Sequence, residues 1–103
     1  MPAYMIVKVN VTDMEQYQEY MKATPSILEQ FGGRFIARGG ETVTLEGPEE
    51  AGRVVLVEFP SLETAVAFYN SADYQAAIKL REGAATASFI VVDGVQPAPG
   101  VTR

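Results

Sequence analysis

The chain has 103 residues, 48% of them hydrophobic and 20% charged, with a formal net charge of −5 and neither cysteine nor histidine. That length makes one small domain, and the missing residue types remove disulfides, thiolate nucleophiles, the commonest general base, the usual zinc ligand and the usual proximal haem ligand, so neither cofactor nor metal is expected. The acidic balance argues against nucleic acid, which is held by an excess of Lys and Arg, and no apolar run approaches the roughly 20 residues of a membrane span.

The opening "MPAYMIVKVNV" has no basic segment before its short apolar run and no small-residue cleavage site after it, so it reads as a first strand and not a secretory signal, with the cytoplasm as the expected location. From Tyr4 to Val11 the residues alternate, with Met5, Val7, Val9 and Val11 forming a wholly apolar face. In "TDME", Thr12 stands three residues before Glu15 in capping-box spacing, which predicts a helix from Asp13. Its apolar stripe is Met14, Tyr17, Met21, Leu28 and Phe31, a break or kink is expected just before Pro25, and Gly32 and Gly33 stop the helix. "RFIAR" is a second strand, and "ETVTLEG" beyond Gly39 and Gly40 reads as a short extended piece in a hairpin with an exposed tip.

"RVVLVEF", residues 53–59, is a long strand with no face built for water. Ser61 can cap a following helix with Leu62, Ala65, Val66 and Tyr69 inward and Phe68 alongside, interrupted at Asn70 and Ser71. "ADYQAAIKLREG" is a further helical piece with Tyr74, Ala77, Ile78 and Arg81 at helical spacing, ended by Gly83. "ASFIVVDG" is the last strand. The domain is expected to span 1–94, and the Pro/Gly-rich remainder, 95–103, to be a flexible tail.

Strand, helix, strand, strand, helix, strand is the α+β, ferredoxin-like βαββαβ pattern: a four-stranded antiparallel sheet with helices on one face. Met5, Val7, Val9, Phe35, Ala37, Val55, Val57, Phe59, Phe89 and Val91 belong under the helices. The opposite face still carries Tyr4, Ile6, Ile36, Val54, Leu56, Ile90 and Val92, enough apolar area to associate. A homodimer with the two sheets face to face, burying about 800 Å² per subunit, is the expectation.

"GGRFIARGG", "EFPSLETAVAFYNSADYQAAIKLREGAA" and the closing "VVDG" resemble the small bacterial family called domain of unknown function 1330, within the dimeric α+β barrel superfamily, over about Pro2 to Gly94. Here Ala72-Asp73 replaces the Pro-Glu common in that family. The resemblance implies the fold and the dimer and no reaction.

Glu58 is the one charge inside its strand. Topology sets it beside Tyr4 and Arg34 on the face away from the helices, with Lys8, Arg38 and Ser88 at that face's other end. One reading is an ion pair at the rim of a dimer interface. The other is a pocket in which Glu58 is a general base, Tyr4 a hydrogen-bond donor, and Arg34 or Arg38 the holder of a small anionic substrate. Tyr74 and Arg81 suit a core position and a helix C-terminus respectively; the family-like run around them implies a role in lining a ligand site. Two functions stay open: a dimer binding or transforming a small anionic metabolite without cofactor, and a non-catalytic structural or regulatory homodimer.

Overall fold

The alternation at the start of the chain becomes β1 (Ala3–Val11), the first element of a computed structural model that describes residues 1–95. It is followed by α1 (Met14–Gln30), β2 (Arg34–Arg38), β3 (Arg53–Phe59), α2 (Leu62–Asn70), α3 (Ala72–Ile78) with a 3-10 turn over Lys79–Arg81, and β4 (Ala85–Asp93). The strands form one antiparallel sheet in the order β2-β3-β1-β4, as the ferredoxin-like pattern requires. Apart from Val95, the expected tail lies outside the described residues.

The helices lie over the face carrying Met5, Val7, Val9, Val55, Val57 and Phe59, and from them Tyr17, Tyr20, Leu28, Phe68 and Tyr74 complete the core. Six sequence expectations change. Asp13, not Thr12, caps α1, accepting the Gln16 N–H at 3.1 Å, while the Thr12 hydroxyl donates to the Ala84 carbonyl at 3.0 Å. The buried stripe of α1 is Tyr17, Tyr20, Thr24, Ile27 and Leu28, and Met14 is exposed. Residues 41–52 contain no strand, so β2 and β3 are joined by a long irregular loop. In α2, Ala65 and Phe68 are buried whereas Leu62 and Val66 face outward.

The fifth change concerns α1, which continues unbroken through Pro25. Proline has no N–H for the carbonyl four residues earlier, that of Met21. Arg38 fills the vacancy, its Nη2 donating to Met21 O at 2.9 Å. After Phe31 the helix ends as expected: Gly32 takes φ +74°, and the N–H groups of Gly32 and Gly33 bond back to Glu29 and Leu28, the paired closure that satisfies the last carbonyls.

Arg38 can reach α1 because of an irregularity in β2. Phe35 stands opposite Val57, but Ala37 stands opposite Leu56 and Arg38 opposite Val55, with a register shift between Phe35 and Ala37. One extra residue reverses the facing of everything after it. Ala37 therefore pairs with a back-face residue and Arg38 shares the helix face, the reverse of the strict alternation expected. The back face itself is uncovered in the single chain, with Ile90, Val92 and Ile36 exposed.

Candidate functional site

One serine sets up the interior. Ser71 Oγ donates to the Phe68 carbonyl at the end of α2 and accepts the Tyr74 N–H at the start of α3, so Tyr74 enters the core at a fixed angle and is fully buried. Its hydroxyl meets that of Tyr20 from α1 at 2.5 Å. Phe68, Tyr69 and Phe89 pack around the Tyr74 ring, with centroids at 4.6, 5.4 and 6.2 Å, and Tyr17 stacks against Tyr20 at 5.3 Å.

The turn after α3 is tied to the start of α1. Gln16 Nε2 donates to the carbonyls of Leu80 and Glu82 at 3.2 and 2.7 Å, and the N–H groups of Thr12 and Asp13 share the Ala84 carbonyl. This clamp points Arg81 inward, its guanidinium carbon 5.2 Å from the Tyr20 ring centre and 5.7 Å from that of Phe89.

Between α1 and the sheet lies a cavity of about 40 Å³, lined by Tyr17, Tyr20, Tyr74, Phe89, Arg38 and Arg53 together with aliphatic core residues. On the measure in which one water takes about 10–15 Å³, that is room for about three waters. A wider cleft of about 350 Å³, lined by Tyr69, Asn70 and Arg81, shares Met5 and Phe89 as a common wall. At the other side, Arg38 and Arg53 continue into an outer groove with Lys22 and Met21.

In a chain of net charge −5, no carboxylate lines any of these three spaces. The salt bridges among the described residues are Lys8–Glu50, Lys22–Glu19 and Arg34–Glu58, so Arg38, Arg53 and Arg81 have no anionic partner. Two buried side-chain nitrogens among the described residues lack a hydrogen-bond partner, Arg53 Nε and Arg81 Nε. A buried donor left unpaired costs about 1–3 kcal/mol.

Burial raises the pKa of Tyr74 far beyond the ordinary phenol value, and the neighbouring Tyr20 adds to the effect. Burial likewise raises Tyr20 and Tyr17. For Arg81 burial opposes the charge, but the Tyr20 and Tyr74 hydroxyls outweigh it and the pKa stands above its usual value. At neutral pH the site thus offers neutral phenolic donors beside a fixed positive charge. It can bind an anion or steady a developing oxyanion, but none of its lining groups is a base.

The residues singled out from sequence divide into two places. Tyr74 is buried in the core and Arg81 is half-buried beside it, while Arg38 turns to the helix side of the sheet but stays exposed. Tyr4, Glu58 and Arg34 stand side by side across β1, β3 and β2 on the bare face, where Arg34 Nε donates to Glu58 Oε1 at 2.6 Å. Lys8 is opposite Ser88 as expected, but its ion partner is Glu50, and Arg38 is absent from that end because of the bulge. Tyr20, Tyr17 and Arg53 were not singled out. Arg53 was legible in principle, since it alternates with Val55 and Val57 toward the helices.

Among the described residues no group of three Asp, Glu, His or Cys stands together, and no helix is long and apolar enough to cross a membrane. No curated protein matches the sequence. A solved protein of unknown function from Rhodopseudomonas palustris, RPA0582, aligns with 93% of this chain and 84% of its own at 24% identity and a TM-score of 0.74. SnoaB, a cofactor-independent oxygenase from Streptomyces nogalater, aligns over 95% of this chain and 97% of its own at 10% identity, TM-score 0.65. A dimeric ferredoxin-like protein of unknown function from Bacteroides fragilis covers 90% and 96% at 14% identity, TM-score 0.61. Likeness at these identities speaks for the fold. The family described as Domain of unknown function (DUF1330) matches residues 2–95, nearly every described residue, and the chain belongs to it.

Proposed function

We propose that this chain is a cytoplasmic homodimer that binds a small anionic metabolite in the cleft between sheet and helices, with Arg81 as the anchor and the Tyr20–Tyr74 hydroxyl pair as neutral donors. The observation that carries the reading is the unpartnered, buried Nε of Arg81 among aromatic walls that hold no carboxylate. A carboxylate or enolate oxygen there gains a charge-assisted hydrogen bond that nothing in the chain supplies. With no base among the lining groups, any transformation relies on reactivity the substrate brings, steadied by Arg81; the cofactor-independent oxygenase among the structural neighbours is compatible with that and does not establish it.

The dimer rests on the bare sheet face. Leu56, Ile6 and Ile90 stand in a row across β3, β1 and β4, and Ile90 is 61% exposed. A face of about 800 Å², about 65% of it apolar, at about 25 cal/mol per Å² of apolar area represents roughly 13 kcal/mol per subunit before the costs of association, the same order as a domain's whole stability. The Bacteroides neighbour is described as dimeric, which supports a dimer for this chain without saying which faces pair. Glu58, Tyr4 and Arg34 then form the polar rim of that interface; a general base at Glu58 would act on the sheet face opposite the cleft.

The test is a thermal-shift and calorimetric screen of small carboxylates against the purified chain and its Arg81→Gln variant. Carboxylates that stabilise the wild type and leave Arg81→Gln unmoved support the site. If none moves the wild type, the chain is a structural or regulatory dimer without this ligand. Sedimentation equilibrium on the wild type and Ile6→Lys checks the interface, the variant being expected to run as a monomer.

A further inference from the structure

We infer that the outer groove, where β2 ends and β3 begins beside α1, is a second anion site that takes one compact dianion, a phosphoryl group, free or esterified. The groove has a volume of about 360 Å³ and is lined by Gln18, Met21 and Lys22 of α1 together with Arg38 and Arg53. None of these five lines the cleft of Arg81, so the two sites stand or fall separately.

The strand pair brings the two arginines together. Arg38 is the last residue of β2 and Arg53 the first of β3, and the Gly39 N–H bonds the Val54 carbonyl at 2.9 Å between them. The bulge turns Arg38 to the helix side, where Arg53 already lies by alternation with the buried Val55 and Val57. Like charges on neighbouring strands repel. The chain has 13 acidic residues, yet none lines this groove.

Neutral groups hold the two guanidiniums instead. Arg38 donates to Met21 O at 2.9 Å and stacks on the Phe35 ring at 4.3 Å. Arg53 Nη2 donates to the Arg38 carbonyl at 3.4 Å, and its guanidinium lies against Gly39, where φ is +74° and a Cβ would collide with it. Each arginine thus uses one of its five N–H donors within the chain, and the buried Arg53 Nε has no partner. The remaining donors are set in place before a ligand arrives, so little side-chain freedom is lost on binding.

Lys22 supplies the third cation. Its partner is Glu19 at 3.1 Å, in a pair with both side chains more than half exposed, and such a pair exchanges partners at little cost. Two guanidiniums and an ammonium in one space match the charge near −2 and the three acceptor oxygens of a phosphoryl group. A carboxylate brings one charge and two oxygens. Gln18, Lys22 and Arg38 are exposed, so the group enters from solvent and any organic part it carries points outward.

The probes are inorganic phosphate, phenyl phosphate and benzoate, titrated calorimetrically at one fixed ionic strength into the full-length wild type and into Arg38→Gln, Arg53→Gln, Lys22→Gln and Arg81→Gln. Circular dichroism and ligand-free melting confirm that each variant folds. Lys22 is exposed and Glu19 is its ion partner, so Lys22→Gln keeps the test decisive where an arginine variant does not fold. Phenyl phosphate is expected to bind the wild type, to lose roughly tenfold or more in Arg38→Gln and Arg53→Gln and several-fold in Lys22→Gln, and to be unchanged in Arg81→Gln. Inorganic phosphate binding as tightly as the ester supports the free ion as the ligand, and tighter binding of phenyl phosphate supports an ester. The inference is overturned if neither phosphate binds, if benzoate binds through Arg38 and Arg53 as tightly as they do, or if phosphate binding is lost only in Arg81→Gln. The Arg81 cleft is read separately, from benzoate binding that Arg81→Gln alone removes.

Discussion

Tyr74→Phe removes one oxygen from the interior and should be costly for its size. The lost hydroxyl is the partner of Tyr20 at 2.5 Å, and both rings are buried, Tyr74 at 0% and Tyr20 at 8% exposure. Tyr20 then keeps its hydroxyl without its tyrosine partner at 8% exposure, and an unpaired buried polar group costs about 1–3 kcal/mol. Taking about 2 kcal/mol, and about 4–8 °C per kcal/mol for a domain near 100 residues, the melting temperature should fall by about 8–16 °C. Tyr20→Phe should cost a similar amount. The double variant should cost clearly less than the sum, because it leaves no orphan behind. The assay is urea unfolding by circular dichroism for all four proteins at one fixed concentration, since self-association couples concentration to stability. Single costs that add to within about 0.5 kcal/mol would mean that the two hydroxyls are not coupled, and the account of the site as a rigid donor pair would fall with them.

Three further outcomes follow from the same contacts. Because Tyr20 and Tyr74 have folded pKa values raised by burial, their contribution to stability is complete below the unfolded phenol value of about 10 and is lost as pH rises above it, at about 1.4 kcal/mol per pH unit for each; urea titrations across that range with phenolate absorbance check the slope, and a flat profile refutes the shift. Pro25→Ala returns an N–H to α1 opposite the Met21 carbonyl and should stabilise the chain by up to about 3 kcal/mol; a lower melting temperature would show that the proline maintains a helix shape the core requires. The Arg34–Glu58 pair, with Arg34 69% exposed, is worth no more than about 1 kcal/mol in a monomer, so Glu58→Gln should cost measurably more at concentrations where the chain is dimeric, and equal costs across a dilution series would remove the pair from the interface.

How far such contacts could be read beforehand depends on whether they are local. Ser61 and Ser71 cap their helices through the N–H three residues on, and Gly32 ends α1 through the two bonds its positive φ permits; these are decided within a few residues, and the sequence shows them. Thr12 failed as a cap because a distant carbonyl, that of Ala84, claimed its hydroxyl, and Asp13 took the role one residue later. The buried stripe of α1 is spaced at three and four residues through Tyr20, Thr24 and Ile27, but a buried threonine followed by a proline hid the period.

One side of the proposed anion site was hidden by a single feature. Strict alternation along "RFIAR" sends Arg34, Ile36 and Arg38 to one face, which groups Arg38 with Glu58 and Lys8 and removes it from the helix side of the sheet. The bulge at the middle of β2 turns Arg38 over, and nothing in five residues announces it, because a bulge is stabilised by what it brings into contact. Here those contacts are the Phe35 ring and the Met21 carbonyl that Pro25 leaves unbonded. Proline in the helix and bulge in the strand are thus two halves of one arrangement: the missing N–H of Pro25 creates an acceptor at the wall of the cleft, and the extra residue in β2 brings the arginine that uses it. An arginine fixed there by a neutral carbonyl keeps its full charge for a ligand, whereas one fixed by a carboxylate, as Arg34 is by Glu58, does not.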